Sequence, residues 1–211
     1  MYHSESGQDQ WLEENVFRGL RGGVFFEAGA LDGVLHSNSL FFERERGWSG
    51  VLVEANPSMT PLIAANRPDA TAFSCALGPY CDGDVTFKAV SGPLFGWSGV
   101  VDAMDHRHVQ AIEDHIPPEW QRVVKVPCRR LESILDETGI THVDYMSLDL
   151  EGAELDVLSV FPFERFHIDV LAVEDNYGCP ELAELLTKNN YHHLARVGVD
   201  EIWRFAGIQG E

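Results

Sequence analysis

Acidic residues stand at the ends of apolar runs throughout this sequence, and they are its chemistry-bearing feature. They are Glu27, Glu54, Asp149, and the pair Glu174 and Asp175. In open α/β sheets, ligands bind beyond the carboxyl ends of the strands, so we expect these side chains to meet at one edge of a sheet. Carboxylates at that edge favour a cationic or hydroxyl-bearing ligand over a phosphate.

A turn with two spaced glycines, Gly29 and Gly33, follows Glu27. Glycine lets the backbone turn tightly and approach a ligand without a Cβ atom in the way. The spacing differs from the GxGxxG fingerprint that binds a pyrophosphate, and a turn that serves only the fold is the alternative. Glu54 lies about 20 residues beyond the turn, where a carboxylate accepts hydrogen bonds from a ribose, unless it is merely a solvated strand end. The pattern predicts a nucleoside ligand without phosphates, such as S-adenosylmethionine.

The elements that position these acids alternate along the chain. Apolar, β-branched or aromatic runs predict buried strands at 24–29, 50–55, 70–77, 143–150 and 168–175. Helical patterns follow most of them, and Ser58 is a predicted N-cap. Alternating strands and helices predict a parallel sheet covered on both faces, while the closely spaced runs YHHLARVG and EIWRFAG predict an antiparallel hairpin at its edge.

One domain is expected over residues 1–211, because 211 residues fit a single large core. Residues 1–22 form a predicted N-terminal helical segment. Residues 78–130 interrupt the alternation and are predicted to be an insertion on the substrate side, with an extra strand, a glycine-rich loop and a polar helix. That helix is either a solvated face or a lid.

Charge and cysteine content limit the kinds of partner and the cellular compartment that the sequence predicts. The formal net charge is -19, which would repel nucleic acid and anionic membranes. The four cysteines contain no CxxC pair, no run is long and apolar enough to cross a bilayer, and the first residues lack the pattern of a secretory signal. We therefore predict a small-molecule partner and a reducing, cytoplasmic setting; the oligomeric state is left open.

Longer motifs carry a family resemblance. The stretches SGQDQWLEENVF, FFEAGALDGVLHSNSLFFERERGWSGVLVEANP and DYMSLDLEGAELDVLSVFPF resemble the FkbM-type methyltransferases, a branch of the class I S-adenosylmethionine-dependent enzymes. The resemblance covers nearly the whole chain. It implies a Rossmann-like class I methyltransferase fold with a seven-stranded, mostly parallel sheet in the order 3-2-1-4-5-7-6, strand 7 antiparallel, and helices on both faces.

The resemblance also assigns roles to individual residues. The amino-acid end of the cofactor would be wrapped by Glu27, Gly29, Ala30 and Gly33. Glu54 would hold the ribose hydroxyls and Ala55 would line the ribose and adenine, while Cys75 and Ala76 would flank the adenine ring. The sequence departs from the pattern at Glu27, where many class I enzymes have Asp, and at Asp175, where histidine is more usual.

Methyl transfer to a hydroxyl needs a nearby base, for which Asp149, His36 and Glu151 are the candidates. Asp149 is favoured by position and by family likeness, whereas a surface role for His36 is an equal alternative. Ser37 and Asn38 are candidate substrate ligands that could equally be helix N-caps. Trp97 is a candidate stacking surface, or else a loop aromatic folded onto the core.

A divalent metal, Mg²⁺, is predicted between Asp149, Glu174 and Asp175, because acids ending adjacent strands can converge on one ion. Glu174 and Asp175 are consecutive in a strand, however, and would then face opposite ways, which is the alternative. The sequence as a whole predicts an O-methyltransferase acting on a sugar or a glycosylated metabolite. An N-methyltransferase of a small amine and a catalytically silent nucleoside-binding module are the alternatives.

Overall fold

The computed structural model describes residues 1–80 and 83–207. The strands are β1 Val24–Ala28, β2 Ser49–Glu54, β3 Thr71–Ser74, β4 Ala76–Leu77, β5 Gly83–Val90, β6 Gly99–Val100, β7 Gln121–Arg129, β8 His142–Leu148, β9 His167–Glu174, β10 Tyr191–Val197 and β11 Asp200–Phe205. The α-helices are α1 Gln8–Leu12, α2 Leu40–Arg46, α3 Thr60–Asn66, α4 His106–His115, α5 Leu131–Thr138, α6 Glu154–Ser159 and α7 Pro180–Lys188. A π-helical segment covers Glu13–Phe17, and 3-10 helices cover Gly92–Trp97 and Pro118–Trp120.

Seven strands form the main sheet in the order β3-β2-β1-β8-β9-β11-β10. Numbered within this sheet alone, the order is 3-2-1-4-5-7-6. β11 is antiparallel to both of its neighbours, and the remaining pairs are parallel. The predicted topology is therefore confirmed, including the terminal hairpin.

Helices cover the sheet on both faces. Apolar side chains of α5, α6 and α7 pack on one face, in a core cluster that includes Phe26 and Val53. Those of α1, α2 and α3 pack on the other face, with Phe25 and Leu52. Neighbouring residues of one strand thus serve opposite cores, as the alternation of side chains along a strand requires.

A second sheet, with the order β4-β7-β5-β6, is built within residues 76–129. The run predicted as one strand at 70–77 is divided at Cys75, because β3 pairs with β2 in the main sheet whereas β4 pairs with β7 in the second. The segment expected to be a glycine-rich loop contains the 3-10 helix Gly92–Trp97, and α4 follows it. The predicted N-cap Ser58 is wrong, since Met59 is the cap of α3 and Ser58 donates to Asn56 instead.

The cysteines do not support the expected setting. Cys75 and Cys179 are free thiols, but Cys128 is disulfide-bonded, and Cys81 lies outside the described residues. Disulfides persist mainly in oxidising compartments, so the reducing, cytoplasmic location stays a prediction. No helix in the described part of the chain has the length and apolar character to span a membrane.

Candidate active site

A cavity of about 590 Å³ opens at the carboxyl ends of the parallel strands. Its walls come from the ends of β1, β2, β8 and β9, from the break between β3 and β4, and from the segment around the 3-10 helix Gly92–Trp97. The volume lies within the usual range for small-molecule sites, about 300–1,000 Å³. Strand-end acids and part of the segment 78–130 therefore line one cavity.

Glu27 anchors the segment between the glycine turn and α2. Its buried carboxylate accepts hydrogen bonds from Ser37 Oγ at 2.9 Å and from the Asn38 backbone N–H at 2.8 Å. Ser39 adds its hydroxyl and, at 3.3 Å, its backbone N–H. Glu27 also lines the cavity, but the structure gives it a role that the sequence did not predict, in fixing residues 37–39.

Arg67 supports the same segment from the other side and was missed by the sequence analysis. Its fully buried guanidinium donates to the Gly33 carbonyl at 2.9 Å and to Ser37 Oγ at 3.2 Å, and it pairs with Glu43 at 2.7 Å. A Cβ on Gly33 would lie 2.9 Å from Cγ of Arg67. Gly33 and Ser37 therefore face this internal network, and neither lines the cavity.

Gly29 and Ala30 differ in what they face. Gly29 lines the cavity and has φ of +83°, and a Cβ built on it would lie 2.1 Å from the carbonyl oxygen of Asp149. The space beside it is thus filled by the end of β8. Ala30 is buried in the core against α2 and α3 and does not line the cavity.

Glu54 ends β2 inside the cavity wall. One carboxylate oxygen accepts from the Leu31 backbone N–H at 2.8 Å and the other from the Asn56 N–H at 2.6 Å. Burial raises the pKa of Glu54 to about 7, although these backbone hydrogen bonds oppose the rise. The carboxylate is fixed in place with lone pairs to spare, as a ribose-binding acid requires.

Three small residues continue the wall from Glu54. Ala55, Cys75 and Ala76 all line the cavity, at the break where the chain leaves the main sheet for the second one. Burial raises the pKa of Cys75 to about 11, so its thiol stays protonated at neutral pH. This wall is small and uncharged, and it suits a flat ring.

A cluster of three acids lies across the cavity: Asp149, Glu151 and Glu174. One carboxylate oxygen from each lies within 4.8 Å of the others. Asp149 follows β8, where its backbone N–H donates to the Ala28 carbonyl at 3.1 Å. Glu174 ends β9 and Glu151 has φ of +56° in the loop before α6. The sequence predicted that Asp149 and Glu174 would be neighbours and named Glu151 only as a candidate base. The turn at Glu151 brings this third carboxyl group to the other two.

Protons must be shared within this cluster. Asp149 lines the cavity, where its side chain keeps some contact with solvent. Desolvation by the surrounding protein is the largest cause that raises its pKa to about 8, followed by the charges of Asp200 and Glu154. Burial and the charge of Asp149 raise the pKa of Glu151 to about 9, and the same two causes raise that of Glu174 well above its usual value. The hydrogen bond between Asp149 and Glu174 lowers the pKa of the former and raises that of the latter. Both pKa values are raised, so the two carboxyl groups retain protons to a higher pH than isolated ones would.

Asp175 is not part of the cluster. Its carboxylate accepts from the backbone N–H groups of Gly178 at 2.8 Å and Cys179 at 2.9 Å, and so it anchors the loop before α7. Consecutive residues of an extended chain face opposite ways, which separates it from Glu174. The predicted metal set is corrected to Asp149 and Glu174, with Glu151 in the place of Asp175.

The remaining candidates lie around the mouth of the cavity. His36 lines it and is half exposed, with Nδ1 3.7 Å from a Glu5 carboxylate oxygen. Trp97 lines it too, and its ring packs 5.8 Å from that of His108, whose own Nδ1 lies 3.4 Å from Glu151. Trp97 also packs against the small core of α4, so it is a loop aromatic folded onto the core, and its role as a stacking surface stays a prediction.

Asn38 lines the cavity as expected, and its amide donates to Ser147 Oγ at 2.9 Å.

Two other lining residues, Asp200 and Tyr177, were not found from the sequence. Asp200, which opens β11 opposite Glu174, is held by Gln8 Nε2 at 2.9 Å, and burial raises its pKa to about 6. Tyr177 completes the mouth. The signal for Asp200 was its place at the tip of the predicted hairpin.

The donor and acceptor set fits S-adenosylmethionine. One cavity of sufficient volume is lined by a fixed carboxylate that would accept from ribose hydroxyls, an apolar wall that would hold a ring, and acids that would face a cationic sulfonium. These features, with the strand order and its single antiparallel strand, define a class I methyltransferase fold.

Comparison with known proteins gives the family. A model of the methyltransferase FkbM domain matches residues 27–193, so the chain belongs to the FkbM methyltransferase family. A search of curated protein sequences finds no match.

Two solved structures are similar. A crystal structure of Methyltransferase FkbM from Methylobacillus flagellatus KT has a TM-score of 0.50 and 13% identity over 87% of this chain, which spans only 44% of that protein. A TehB-like SAM-dependent methyltransferase from Corynebacterium glutamicum ATCC 13032 Kitasato has a TM-score of 0.47 and 8% identity, covering 96% of this chain and 89% of the other. The first likeness shows the fold alone, and the second is too distant to support an inference.

Proposed function

We propose that this enzyme transfers a methyl group to a hydroxyl oxygen of a small molecule, a sugar or a glycosylated metabolite. The observation that carries the proposal is the cluster of Asp149, Glu151 and Glu174 within the cavity. A base whose pKa lies near the working pH is best suited to remove a hydroxyl proton, and that of Asp149 is raised to about 8. Asp149 is the proposed base.

The neighbouring residues prepare Asp149 for this role. The raised pKa values of Glu174 and Glu151 keep further negative charge out of the cluster at neutral pH, and Glu151 also contacts His108. When bound, S-adenosylmethionine supplies the electrophilic methyl group. The chain holds the acceptor and receives its proton at a carboxylate oxygen of Asp149.

The proposal of a sugar rests on the mouth of the cavity. Trp97 and Tyr177 offer aromatic faces, and Asn38 and Asn176 offer hydrogen bonds. Aromatic rings with amides beside them suit the apolar faces and the hydroxyls of a sugar. The acids disfavour anionic acceptors, because like charges repel.

Binding of Mg²⁺ to the acid cluster is a separate part of this proposal. Three carboxylates are hard oxygen ligands of the kind that Mg²⁺ takes, and an ion there could lower the pKa of a substrate hydroxyl. The raised pKa values offer a competing account, in which protons rather than a metal relieve the repulsion. Activity after exhaustive chelation, with and without added Mg²⁺, separates the two.

The test is transfer of a labelled methyl group from S-adenosylmethionine to a panel of glycosides and small amines. We expect labelled ethers, and kcat/KM for the acceptor that rises as the pH passes through about 8. Asp149→Asn should lower kcat by about 10²–10⁴-fold while cofactor binding stays, because general-base catalysis contributes this much. Asp156→Asn is the matched control, since this exposed acid of α6 does not line the cavity. Methylation of amines only, or an Asp149→Asn enzyme as active as Asp156→Asn, would overturn the proposal.

A further inference from the structure

A second cluster of ionisable side chains lies at the amino-terminal ends of the parallel strands, on the side of the main sheet remote from the cavity. His142 and His167 are the first residues of β8 and β9, and they are register partners in the parallel pair. Asp169 lies two residues after His167 and therefore faces the same side of the sheet. The strand lengths place this cluster about 20 Å from the acids at the carboxyl ends.

The three side chains converge on one point. Nε2 of His142 and Nε2 of His167 each lie 3.0 Å from the same oxygen, Oδ1 of Asp169. One ligand atom from each of the three residues lies within 4.8 Å of the others. Both imidazoles are roughly half exposed, so an ion can reach them from solvent.

The two histidines form ion pairs with Asp169 only when their imidazoles are protonated. Asp169 Oδ1 is buried, and it has no hydrogen-bond partner among the described residues although two ring nitrogens lie beside it. With both imidazoles neutral, this buried oxygen has no well-aligned hydrogen bond, and that is costly. A cation between the oxygen and the two nitrogens would satisfy all three.

We propose that His142, His167 and Asp169 bind a divalent transition-metal ion, and that the ion is Zn²⁺. Imidazole nitrogen with a carboxylate is a usual Zn²⁺ ligand set, whereas Mg²⁺ prefers oxygen ligands alone. Bonds of about 2.0–2.1 Å at the tetrahedral angle separate two ligand atoms by about 3.3–3.4 Å. The observed 3.0 Å is close to this separation, so small side-chain movements complete the site, and water takes the fourth position.

The ion would act on the fold and not on methyl transfer. It would join the first residues of two adjacent strands, at the end of the sheet remote from the cavity. A ligand that binds only the folded chain raises the free energy of unfolding. The proposal therefore does not depend on the acceptor proposed above.

The experiment titrates ZnCl₂ into the chelator-treated full chain by calorimetry, with Zn X-ray absorption of the loaded protein. We expect one ion per chain, histidine nitrogens in its first shell and a raised thermal midpoint. His142→Ala, His167→Ala and Asp169→Asn should each weaken binding by about tenfold or more, because loss of even outer-shell partners costs that much.

Two control variants decide where the ion lies. His192→Ala removes an exposed histidine of β10 and should bind Zn²⁺ normally, as should Glu174→Gln in the cavity. Loss of binding in Glu174→Gln with retention in His142→Ala would move the ion to the acid cluster and overturn the proposal. A folded wild-type chain that binds no Zn²⁺ at micromolar concentration would overturn it too.

Discussion

Glu174 and Asp175 show how neighbouring carboxyl groups acquire different chemistry from their surroundings. Burial and the charge of Asp149 raise the pKa of Glu174, which lines the cavity. Asp175, the next residue along the chain, is instead a backbone anchor. Roles at this scale follow from neighbours across the sheet rather than from residue type.

Glu54 gives the residue-scale prediction. Glu54→Ala should lower the affinity for S-adenosylmethionine by about 1–3 kcal/mol, because the ribose hydroxyls lose a charge-assisted acceptor. Calorimetric titration of the cofactor measures the change.

The control for Glu54 separates ribose binding from loop anchoring, since Glu54 also accepts from the Leu31 N–H. Asp32 anchors the same loop, accepting from Val34 and Leu35, but does not line the cavity. Asp32→Ala should therefore leave the affinity nearly unchanged. Equal losses in the two variants would assign the effect to loop order.

The carboxyl ends of β1 and β8 lie in close contact, and this contact forms the bottom of the cavity. Gly29 permits it, because the carbonyl of Asp149 occupies the place that a side chain would take. A β-branched residue at position 29 would displace the end of β8 before it reached a ligand. The glycine is thus required by the packing of two strands as well as by the turn.

The element-scale prediction concerns this contact. Gly29→Ala combines a clash at 2.1 Å with a left-handed φ, and it should lower the free energy of unfolding by about 1–3 kcal/mol more than Gly139→Ala. Gly139 also has a positive φ, +70°, but open space around it, so it measures the backbone strain alone. Urea unfolding of both variants gives the difference. Equal costs would mean that the approach of the two strands imposes no constraint.

The whole molecule is acidic, with a formal net charge of -19, and several of its acids lie in or beside one cavity. Burial is the largest cause of the raised pKa values at Asp200, Glu54, Glu154, Asp149 and Glu151, which reach about 6, 7, 7, 8 and 9. The folded chain therefore binds more protons than the unfolded chain over this pH range.

Stability should accordingly fall as the pH rises. The contribution of these groups is fully present below their unfolded pKa values, near 4, and is lost as the pH passes through about 6 to 9. The urea midpoint of the cofactor-free chain should be higher at about pH 6 than at about pH 9. Glu151→Gln should flatten the dependence near its alkaline end. A midpoint that rises with pH would contradict the raised pKa values.

Local patterns in the sequence determined the succession of strands and helices, the terminal hairpin and the edge where Glu54, Asp149 and Glu174 gather. They could do so because side-chain periodicity is local, and because the carboxyl ends of parallel strands share one edge. Only the tertiary structure decided that Ser37 faces Arg67, that Asp175 leaves the cavity, and that His142 meets His167 across two strands. These outcomes depend on distances between residues far apart in the chain and on how completely each group is desolvated, and neither quantity is encoded in the spacing of neighbouring residues.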